Sequence, residues 1–409
     1  MTQLQKIRLQ CVRLLYAAAN LLLAMLQGCL WPRQRPRQAQ RVCIYRIGNI
    51  GDILCALPAM YAIRRAYPDA KLTLLTSPGK RGALGAAELL EGARWLDELL
   101  VYYSDDIDSL GKRCRLLGRL RHQPYDVWIE LPRECGRTAT MLRNMAAARL
   151  AGARWACGWQ LNTIRWAAQA QSEFFTFPNE AERLLALLAG CGIQSREVVF
   201  PLPLSDRHRR SVDELLGKNG LTGKPLVAIA PGAKRSTNRW PADRFAEVGR
   251  HLIAKGFGLV VMGGAADAGT CRDVATAAGP GALAVAGQSS LLESAELLKR
   301  CYLVICNDSG VQHLAAAVGK PCLSLFAASD FRGKWYPYGS QHTVLRKWVE
   351  CHTCLLERCP YDNRCLKLIE ADEVIAVADQ KLADLQNGVE SEKVGPHPSR
   401  GVAAGASGY

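Results

Sequence analysis

Residues 46–52 of this 409-residue chain are Arg46-Ile47-Gly48-Asn49-Ile50-Gly51-Asp52. They follow a short apolar run, 42–45, and precede an apolar pattern of helical spacing from 53 to 66. This order predicts a buried strand that turns through two glycines into its crossover helix. Gly48 and Gly51 let a ligand approach the main chain. Asp52 is predicted in the first turn of that helix, either as a cap or as a functional carboxylate.

The composition is that of a globular protein with a strong positive charge. The chain carries a formal charge of +15, and 49% of its residues are hydrophobic. At about 150 residues per domain, the length indicates two or three domains, and two is the working expectation. The charge predicts an anionic partner, either a phosphate-bearing substrate or an anionic membrane surface. Nucleic acid is disfavoured, because no zinc-finger, RNP or basic-zipper pattern accompanies the charge.

Residues 1–40 form a separate basic segment and linker. A run without charged residues extends from 14 to 31. Polar side chains recur every seven positions in and before this run, at Lys6, Arg13, Asn20 and Gln27. On a helix they make one narrow polar stripe, because a heptad repeat drifts by only about 20° per heptad. The pattern predicts an amphipathic helix in the interface of an anionic membrane. A spanning anchor, a signal peptide and a helix packed on its own protein are the alternatives.

The rest of the chain divides into two halves of the same kind. Residues 41–205 and 222–386 each alternate short apolar strands with helical patterns. Such alternation predicts mostly parallel sheets. The expected fold is α/β, with two doubly wound Rossmann-like domains that face each other across a ligand-binding cleft. The tail from 387 to 409 is rich in Gly, Ser and Pro and is predicted to be disordered.

Two loops of the second half follow predicted strands and carry groups suited to a phosphorylated ligand. The loop 231–240 presents Lys234, Arg235 and Arg239, cations that can neutralise a diphosphate. A solvated basic loop is the structural alternative. The next loop is a glycine-rich turn that ends at Asp267, whose carboxylate can bond to ribose hydroxyls.

A third loop runs from a strand into an Ala-rich helix and contains Asp308, Ser309, Gly310 and His313. Backbone N–H groups at such a helix start form an anion site. A capping Asp308 and a core His313 are the structural alternatives. The Ser309 to His313 spacing also permits nucleophilic catalysis, although no Gly-x-Ser-x-Gly elbow surrounds the serine.

Three ordered motifs together resemble those of glycosyltransferase family 9, the ADP-heptose:lipopolysaccharide heptosyltransferases and their relatives. They are Arg46-x-Gly48-x-x-Gly51-Asp52, then Pro231-Gly232-Ala233 leading to Arg239-Trp240-Pro241, then Asp308-Ser309-Gly310-x-x-His313-Leu314-Ala315. The resemblance covers roughly residues 41 to 385. It implies a GT-B fold, with the acceptor bound by the first domain and the nucleotide-sugar by the second.

The resemblance also implies roles for single residues. Asp52 would be the catalytic base, and Gly48 and Gly51 the glycine loop on the acceptor side. The donor-binding residues would be Lys234, Arg239, Asp267, Asp308, Ser309, Gly310 and His313. No metal or other cofactor is expected in catalysis, because basic loops can replace the metal that other transferases use.

The implied activity is the inverting transfer of a heptose or related sugar from an ADP-sugar to a lipopolysaccharide core or other lipid-linked saccharide. The enzyme would act as a peripheral protein on the cytoplasmic face of the inner membrane. A protein O-heptosyltransferase, a nucleotide-sugar epimerase and a non-catalytic nucleotide-sugar sensor are the competing hypotheses.

Cysteines fall into two groups. Twelve of the sixteen are scattered singly through the chain, many of them in apolar runs, which favours a reducing, cytosolic environment. The other four are Cys351, Cys354, Cys359 and Cys365. Four thiols within fifteen residues have the ligand count of a structural zinc or iron site. Reduced thiols or a disulfide in a compact knot are the alternatives.

Overall fold

The computed structural model describes residues 3–32, 34–122, 124–133, 138–161, 176–195 and 197–392. The strands of the first half are β1 (Arg41–Ile47), β2 (Lys71–Ser77), β3 (Glu98–Val101), β4 (Val127–Glu130) and β5 (Trp155–Cys157). The helices that accompany them are α1 (Gln3–Leu30), α2 (Ile50–Ala66), α3 (Ala86–Leu89), α4 (Leu110–Arg121), α5 (Thr138–Leu150) and α6 (Glu180–Gly190).

The second half repeats this alternation. Its strands are β6 (Leu226–Ala230), β7 (Gly258–Val261), β8 (Ala282–Ala284), β9 (Cys301–Asn307), β10 (Cys322–Phe326) and β11 (Thr343–Arg346). Its helices are α7 (Asp206–Lys218), α8 (Ala242–Ala254), α9 (Ala268–Ala278), α10 (Leu291–Arg300), α11 (Gly310–Ala317), α12 (Arg364–Lys367) and α13 (Ala371–Glu392).

The strands form two parallel sheets. Their orders are β3-β2-β1-β4-β5 and β11-β10-β9-β6-β7-β8. The chain order reverses between β1 and β4 in the first sheet and between β6 and β9 in the second. Ligands of doubly wound sheets bind at such switch points, outside the carboxyl ends of the strands. The loops after β1, β6 and β9, which carry the three motifs, therefore lie where this architecture binds ligands.

The strands at the switch points are mostly apolar, as is typical of parallel strands in sheets that helices cover on both faces. All five residues of β6 are buried, and β1 is largely buried. The prediction of an α/β fold with parallel sheets is confirmed.

The structure differs from the sequence patterns in several elements. Strands β3, β5, β8 and β11 have only three or four residues, too few to give a periodic signal. Helix α7 lies between the two predicted domain ranges and packs against α10 of the second half. Helix α13 extends to Glu392, so the first six residues of the predicted disordered tail are helical. Residues 393–409 lie outside the described residues.

Helix α1 contacts the first domain through Asn20, one residue of the predicted polar stripe, and through apolar side chains. The Asn20 side-chain amide donates to the carbonyl oxygen of Leu161 at 2.7 Å, and its oxygen accepts from the Leu161 N–H at 2.7 Å. Trp31 stacks on Trp159, with ring centroids 5.1 Å apart, and Leu23 is buried. The face turned away from the protein is apolar. Its exposed large side chains are Ile7, Leu14, Leu15, Leu21, Leu22 and Met25.

By length and composition, the segment Gln10–Leu30 of α1 is the one helical stretch within the described ranges that could cross a membrane. One face of α1 is docked on the first domain, in agreement with the alternative of a helix packed on its own protein. The opposite face is uncovered.

Candidate functional site

Asp52 occupies the first turn of α2, as the sequence predicts. One carboxylate oxygen, Oδ2, accepts the backbone N–H of Asn49 at 3.0 Å, which is a capping interaction. The other, Oδ1, lies 3.7 Å from Nη2 of Arg46. The Asp52 side chain is 13% exposed. It therefore caps the helix with one oxygen and retains an oxygen that faces a cation.

Gly48 makes this position of Asp52 sterically feasible. A Cβ atom at Gly48 would lie 2.2 Å from Cβ and 2.6 Å from Cγ of Asp52, and the backbone φ is +155°. No larger residue fits unless the carboxylate moves. The glycine loop thus sets the place of the carboxylate directly.

A buried network of charges holds Arg46 in place. Arg46 is fully buried, and its Nη1 donates to the carbonyl oxygens of Leu131 and Pro132. Its Nη2 lies 3.4 Å from Oε1 of Glu180, which is also fully buried. Arg183 forms a two-point ion pair with the same carboxylate, at 2.7 and 2.8 Å. The network therefore links the start of α6 to Asp52.

The sequence reasoning missed the role of Glu180. Glu182, two residues further along the helix, is exposed, whereas Arg183 pairs with Glu180. Two signals were available. An arginine interrupts the otherwise apolar strand β1, and Glu180 stands three residues before Arg183, a spacing at which helical side chains meet.

The first motif contacts the second domain. A Cβ atom at Gly51 would lie 3.2 Å from Cδ2 of His313. Sγ of Cys55, one turn further along α2, lies 3.5 Å from Nδ1 of the same imidazole. Nζ of Lys234 donates to Oδ1 of Asn49 at 3.3 Å. The structure thus brings all three predicted motifs together at one junction between the two sheets.

Asp308 does not cap helix α11. The N-cap residue is Ser309, and the carboxylate of Asp308 accepts from Asn238 at 2.9 Å and from Gln312 at 3.0 Å. Burial, and after it the neighbouring Asp330, raise the pKa of Asp308 to about 7. The environment of Asp308 thus favours the protonated carboxyl far more than water does. The predicted capping role is wrong, because the side chain turns toward the loop after β6.

His313 is buried, and this burial favours the neutral form of its imidazole. Burial lowers the pKa of His313 to about 4, with His342 as a further cause. Its ring contacts Cys55 and lies edge-on to Trp335, with centroids 6.4 Å apart. Oγ of Ser309 has no hydrogen-bond partner among the described residues, His313 included. The structure therefore gives no support to a Ser-His nucleophile.

Asp267 lies against the loop after β6. A Cβ atom at Gly232 would lie 2.2 Å from Cγ of Asp267, so only glycine fits beneath this carboxylate. Oδ1 of Asp267 lies 3.6 Å from Nη2 of Arg239, whose Nε donates to the carbonyl oxygen of Ala233. The loop that ends at Asp267 therefore contacts the loop after β6. Lys234 and Arg239 of the loop after β6 are exposed.

Several buried side-chain oxygens at this edge of the second sheet have no hydrogen-bond partner within the described part of the chain. They are Thr237 Oγ1, Asn238 Oδ1, Ser309 Oγ, Gln312 Oε1 and Ser329 Oγ. All of them follow β6, β9 or β10. Buried polar atoms are normally paired, so a group without partners at one edge indicates a place where a polar ligand or water is bound.

The four clustered cysteines line one small cavity, of about 20 Å3, beside Thr237 and Ser329. Each cysteine within the described ranges is a free thiol. No three described His, Cys, Asp or Glu side chains are placed in a metal-holding group. The backbone of this segment is unusual, because the non-glycine residues with left-handed φ in the described chain all lie in it. They are Thr353, Leu355, Asp362 and Asn363.

Known proteins resemble this chain over most of its length. A family model for glycosyltransferase family 9 (heptosyltransferase) matches residues 113–364. Lipopolysaccharide heptosyltransferase 2 of Escherichia coli (strain K12) is 27% identical over 301 residues, which cover 69% of this chain and 81% of that protein.

Solved structures share the fold. The glycosyl transferase family 9 protein from Veillonella parvula DSM 2008 has a TM-score of 0.67 at 22% identity, over 84% of this chain and 98% of that one. The E. coli ADP-heptose lps heptosyltransferase II has a TM-score of 0.62 at 20% identity, over 85% and 99%. Since the family model spans more than half of the chain, this protein is a glycosyltransferase and belongs to glycosyltransferase family 9.

Proposed function

We propose that this enzyme transfers a heptose from ADP-heptose to a lipopolysaccharide core or another lipid-linked saccharide, with inversion at the anomeric carbon and on a GT-B fold. One observation carries the proposal: the loop that bears Asp52 contacts the Lys234 and His313 loops of the other domain. Two of the three relatives named above are lipopolysaccharide heptosyltransferases, and one of these is an ADP-heptose lps heptosyltransferase, which supports the proposal.

In this mechanism Asp52 accepts the proton of the acceptor hydroxyl as the hydroxyl oxygen attacks the anomeric carbon. The bond from that carbon to the diphosphate oxygen breaks, and ADP leaves with the electron pair. Lys234, Arg239 and the N–H groups at the start of α11 stabilise the departing charge. No covalent intermediate on the enzyme is needed.

Asp308 suits a site for an anionic leaving group. Its pKa of about 7 lets it take up a proton when a diphosphate approaches, which limits repulsion between like charges. The unpaired hydroxyl of Ser309 and amide oxygen of Asn238 lie on the same loops. A ligand hydroxyl or a bound water would satisfy the amide oxygen, and a phosphate oxygen would accept from the serine.

Mass analysis of reaction products tests this function. The purified enzyme is supplied with ADP-heptose, UDP-sugars and GDP-sugars, each with lipopolysaccharide-core acceptors that lack the outer heptose. We expect one heptose to be added from ADP-heptose, with release of ADP. Transfer only from another nucleotide-sugar, transfer only to a protein, or epimerisation without transfer would each contradict the proposal.

We propose further that α1 holds the enzyme on the cytoplasmic face of an anionic membrane. The uncovered face of α1 carries Leu14, Leu15, Leu21 and Leu22, which are 56–70% exposed. Each such side chain contributes about 1.5–3 kcal/mol when it is fully buried. The seven basic residues of the first 41 would add attraction to anionic headgroups.

Vesicle co-sedimentation tests the membrane proposal. Deletion of α1 would expose the core around Trp31, so substitution of the outer face is the cleaner change. We expect a Leu14→Gln, Leu21→Gln, Leu22→Gln triple variant to lose most of its binding to anionic vesicles. A Leu84→Gln, Leu368→Gln variant, altered at exposed leucines elsewhere, is the control. Equal binding by both variants would assign membrane contact to another surface.

We also propose that the four-cysteine cavity holds a structural zinc or iron ion, outside the catalytic steps. The four thiols line one cavity of about 20 Å3 and match the ligand count for one ion, so metal binding would draw them from their present positions into a coordinating set. The left-handed backbone at Thr353, Leu355, Asp362 and Asn363 costs about 1–3 kcal/mol per residue and requires a compensating interaction. Metal ligation between the cysteines would supply it.

Elemental analysis tests the metal. We expect about one zinc or iron per wild-type chain, loss of that metal in Cys354→Ser, and full content in Cys114→Ser, which alters an exposed cysteine on α4. Absence of metal from the wild-type protein, or equal content in the two variants, would rule the site out.

A further inference from the structure

A thiol of the first domain lies against an imidazole of the second. Sγ of Cys55, in the second turn of α2, is 3.5 Å from Nδ1 of His313, and the two residues are 258 positions apart in the chain. Cys55 is 4% exposed and His313 is 7% exposed. A buried hydrogen bond between sulfur and nitrogen therefore joins the two domains next to the predicted donor-binding loop.

The surroundings of Cys55 keep its thiol protonated. Burial raises the pKa of Cys55 well above its ordinary value, and the charges of Glu180 and Asp52 raise it as well. A thiol that keeps its proton is a poor nucleophile. The contact with His313 is thus not a Cys-His catalytic dyad, and the thiol is available as a hydrogen-bond donor.

The partner of this thiol is unusual for the chain. Two buried thiols of the second domain donate to backbone carbonyl oxygens, Cys301 to that of Leu297 at 3.4 Å and Cys322 to that of Gln312 at 3.6 Å. For Cys55, the partner among the described residues is a ring nitrogen instead. A neutral imidazole has one nitrogen that accepts and one that donates. When the thiol donates to Nδ1, the proton of the ring is therefore on Nε2.

The opposite arrangement is less favourable. Burial lowers the pKa of His313 to about 4, with His342 as a further cause, so the ring is neutral near pH 7. A ring with its proton on Nδ1 would donate to sulfur, which is a weak acceptor. It would also leave the thiol proton of Cys55 without an acceptor among the described residues, in a buried place where an unmade hydrogen bond is costly. The contact therefore selects the Nε2–H tautomer.

The edge of the ring that carries Nε2 faces the glycine loop. A Cβ atom at Gly51 would lie 3.2 Å from Cδ2 and 3.8 Å from Nε2 of His313. A Cβ atom at Gly310 would lie 3.9 Å from the Gly51 nitrogen, so the starts of α2 and α11 are adjacent. No described residue forms a hydrogen bond with Nε2. Helix starts attract anions, and an Nε2–H adds one more donor to this junction.

We infer that Cys55 is a positioning residue for the proposed transfer. Its thiol holds His313 as the Nε2–H tautomer and fixes the orientation of the ring, and Nε2 then donates to the diphosphate of the nucleotide-sugar. The donation to the diphosphate rests on the proposed function, whereas the tautomer does not. Cys55 itself contacts no reacting atom in this scheme.

Nitrogen NMR of the full chain with isotope-labelled histidine tests the tautomer. The chain has seven histidines, and a His313→Gln variant identifies the His313 signals. We expect a protonated Nε2 and an unprotonated Nδ1 in the free wild-type protein. In Cys55→Ala, Nδ1 is expected to be protonated in part, because its donor is gone. A protonated Nδ1 in the wild-type protein, or the same nitrogen shifts in wild type and Cys55→Ala, would overturn the inference.

Cys43→Ala is the matched control, since it removes another buried thiol of the first domain, on β1. It is expected to leave the His313 signals unchanged. The signals of the other histidines report whether each variant is folded. An equal change of the His313 tautomer in Cys43→Ala and Cys55→Ala would indicate a general loss of packing and refute the positioning role.

ADP and initial rates then test what the tautomer does. We expect ADP to shift the Nε2 resonance of wild-type His313 more than the Nδ1 resonance. Transfer from ADP-heptose is expected to fall by about tenfold in Cys55→Ala and to stay within about twofold of wild type in Cys43→Ala. Slower transfer in Cys55→Ala with an unchanged His313 tautomer would reduce Cys55 to a packing residue and contradict the inference.

The same data separate this inference from the proposed function. If the wild-type protein has the Nε2–H tautomer, loses it in Cys55→Ala and transfers sugar only from another nucleotide-sugar, the proposed donor is wrong and positioning by Cys55 is supported.

Discussion

Replacing Asp52 with asparagine is expected to reduce sugar transfer by about 10²–10⁴-fold. The reason lies in the two oxygens of the carboxylate. Asparagine keeps an oxygen that can accept the Asn49 N–H, so the cap on α2 survives. It loses the negative charge that takes the acceptor proton. Initial rates with ADP-heptose and a core acceptor measure the effect, and ADP affinity is expected to stay within about twofold.

The same substitution separates the two roles that the sequence left open for this residue. If Asp52 only capped the helix, the asparagine variant would transfer sugar at nearly the wild-type rate. Asp69→Asn, in the exposed turn before β2, is the matched control and is expected to be fully active. A wild-type rate in the Asp52 variant would therefore remove the catalytic assignment and leave the capping contact as its explanation.

Replacing Glu180 with glutamine is expected to lower the free energy of unfolding by about 3 kcal/mol or more. Glu180 is fully buried between Arg46 and Arg183, and its charge compensates two guanidinium groups. The neutral amide leaves buried positive charge uncompensated. Chemical denaturation measures the loss. Transfer should fall as well, because an Arg46 that has lost Glu180 would pair more strongly with Asp52 and weaken it as a base.

Glu182 offers a matched control for this experiment, since it is an exposed glutamate two residues away on the same helix. Glu182→Gln is expected to change stability by less than about 0.5 kcal/mol. If the two variants unfolded at the same denaturant concentration, the network around Arg46 would not stabilise the fold as argued here.

The architecture was readable from the sequence wherever apolar periodicity ran long enough. Strand β1 and helix α2 lie at the apolar run 42–45 and the helical pattern 53–66 that predicted them, and strands β6 and β9 directly precede the loops that were predicted to follow strands. The short edge strands were not predictable, because three or four residues carry no period. Helix α7 was missed since a Pro-bearing and charged region indicated a boundary rather than a packed helix.

The residues of the site were predictable from the sequence, but the contacts between them were not. Glycines before a carboxylate, cations after a strand and polar side chains at a helix start are local patterns that physical chemistry interprets directly. The contacts between these groups, in contrast, join distant parts of the chain. Gly51 meets His313, and Lys234 meets Asn49, across more than 180 residues of chain. Only the packing of one sheet beside the other creates those contacts.

The sequence by itself determined two parallel α/β halves, the three ligand-facing loops and the family resemblance, because each follows from spacing along the chain. The tertiary structure alone decided the rest. It turned Asn20 of α1 toward the first domain, showed that Asp308 is not a cap, and placed Glu180 next to Arg46, the residue that faces Asp52. The physical reason is the same in each case: a polar side chain is oriented by the partner that it finds when buried, and that partner comes from a distant part of the chain.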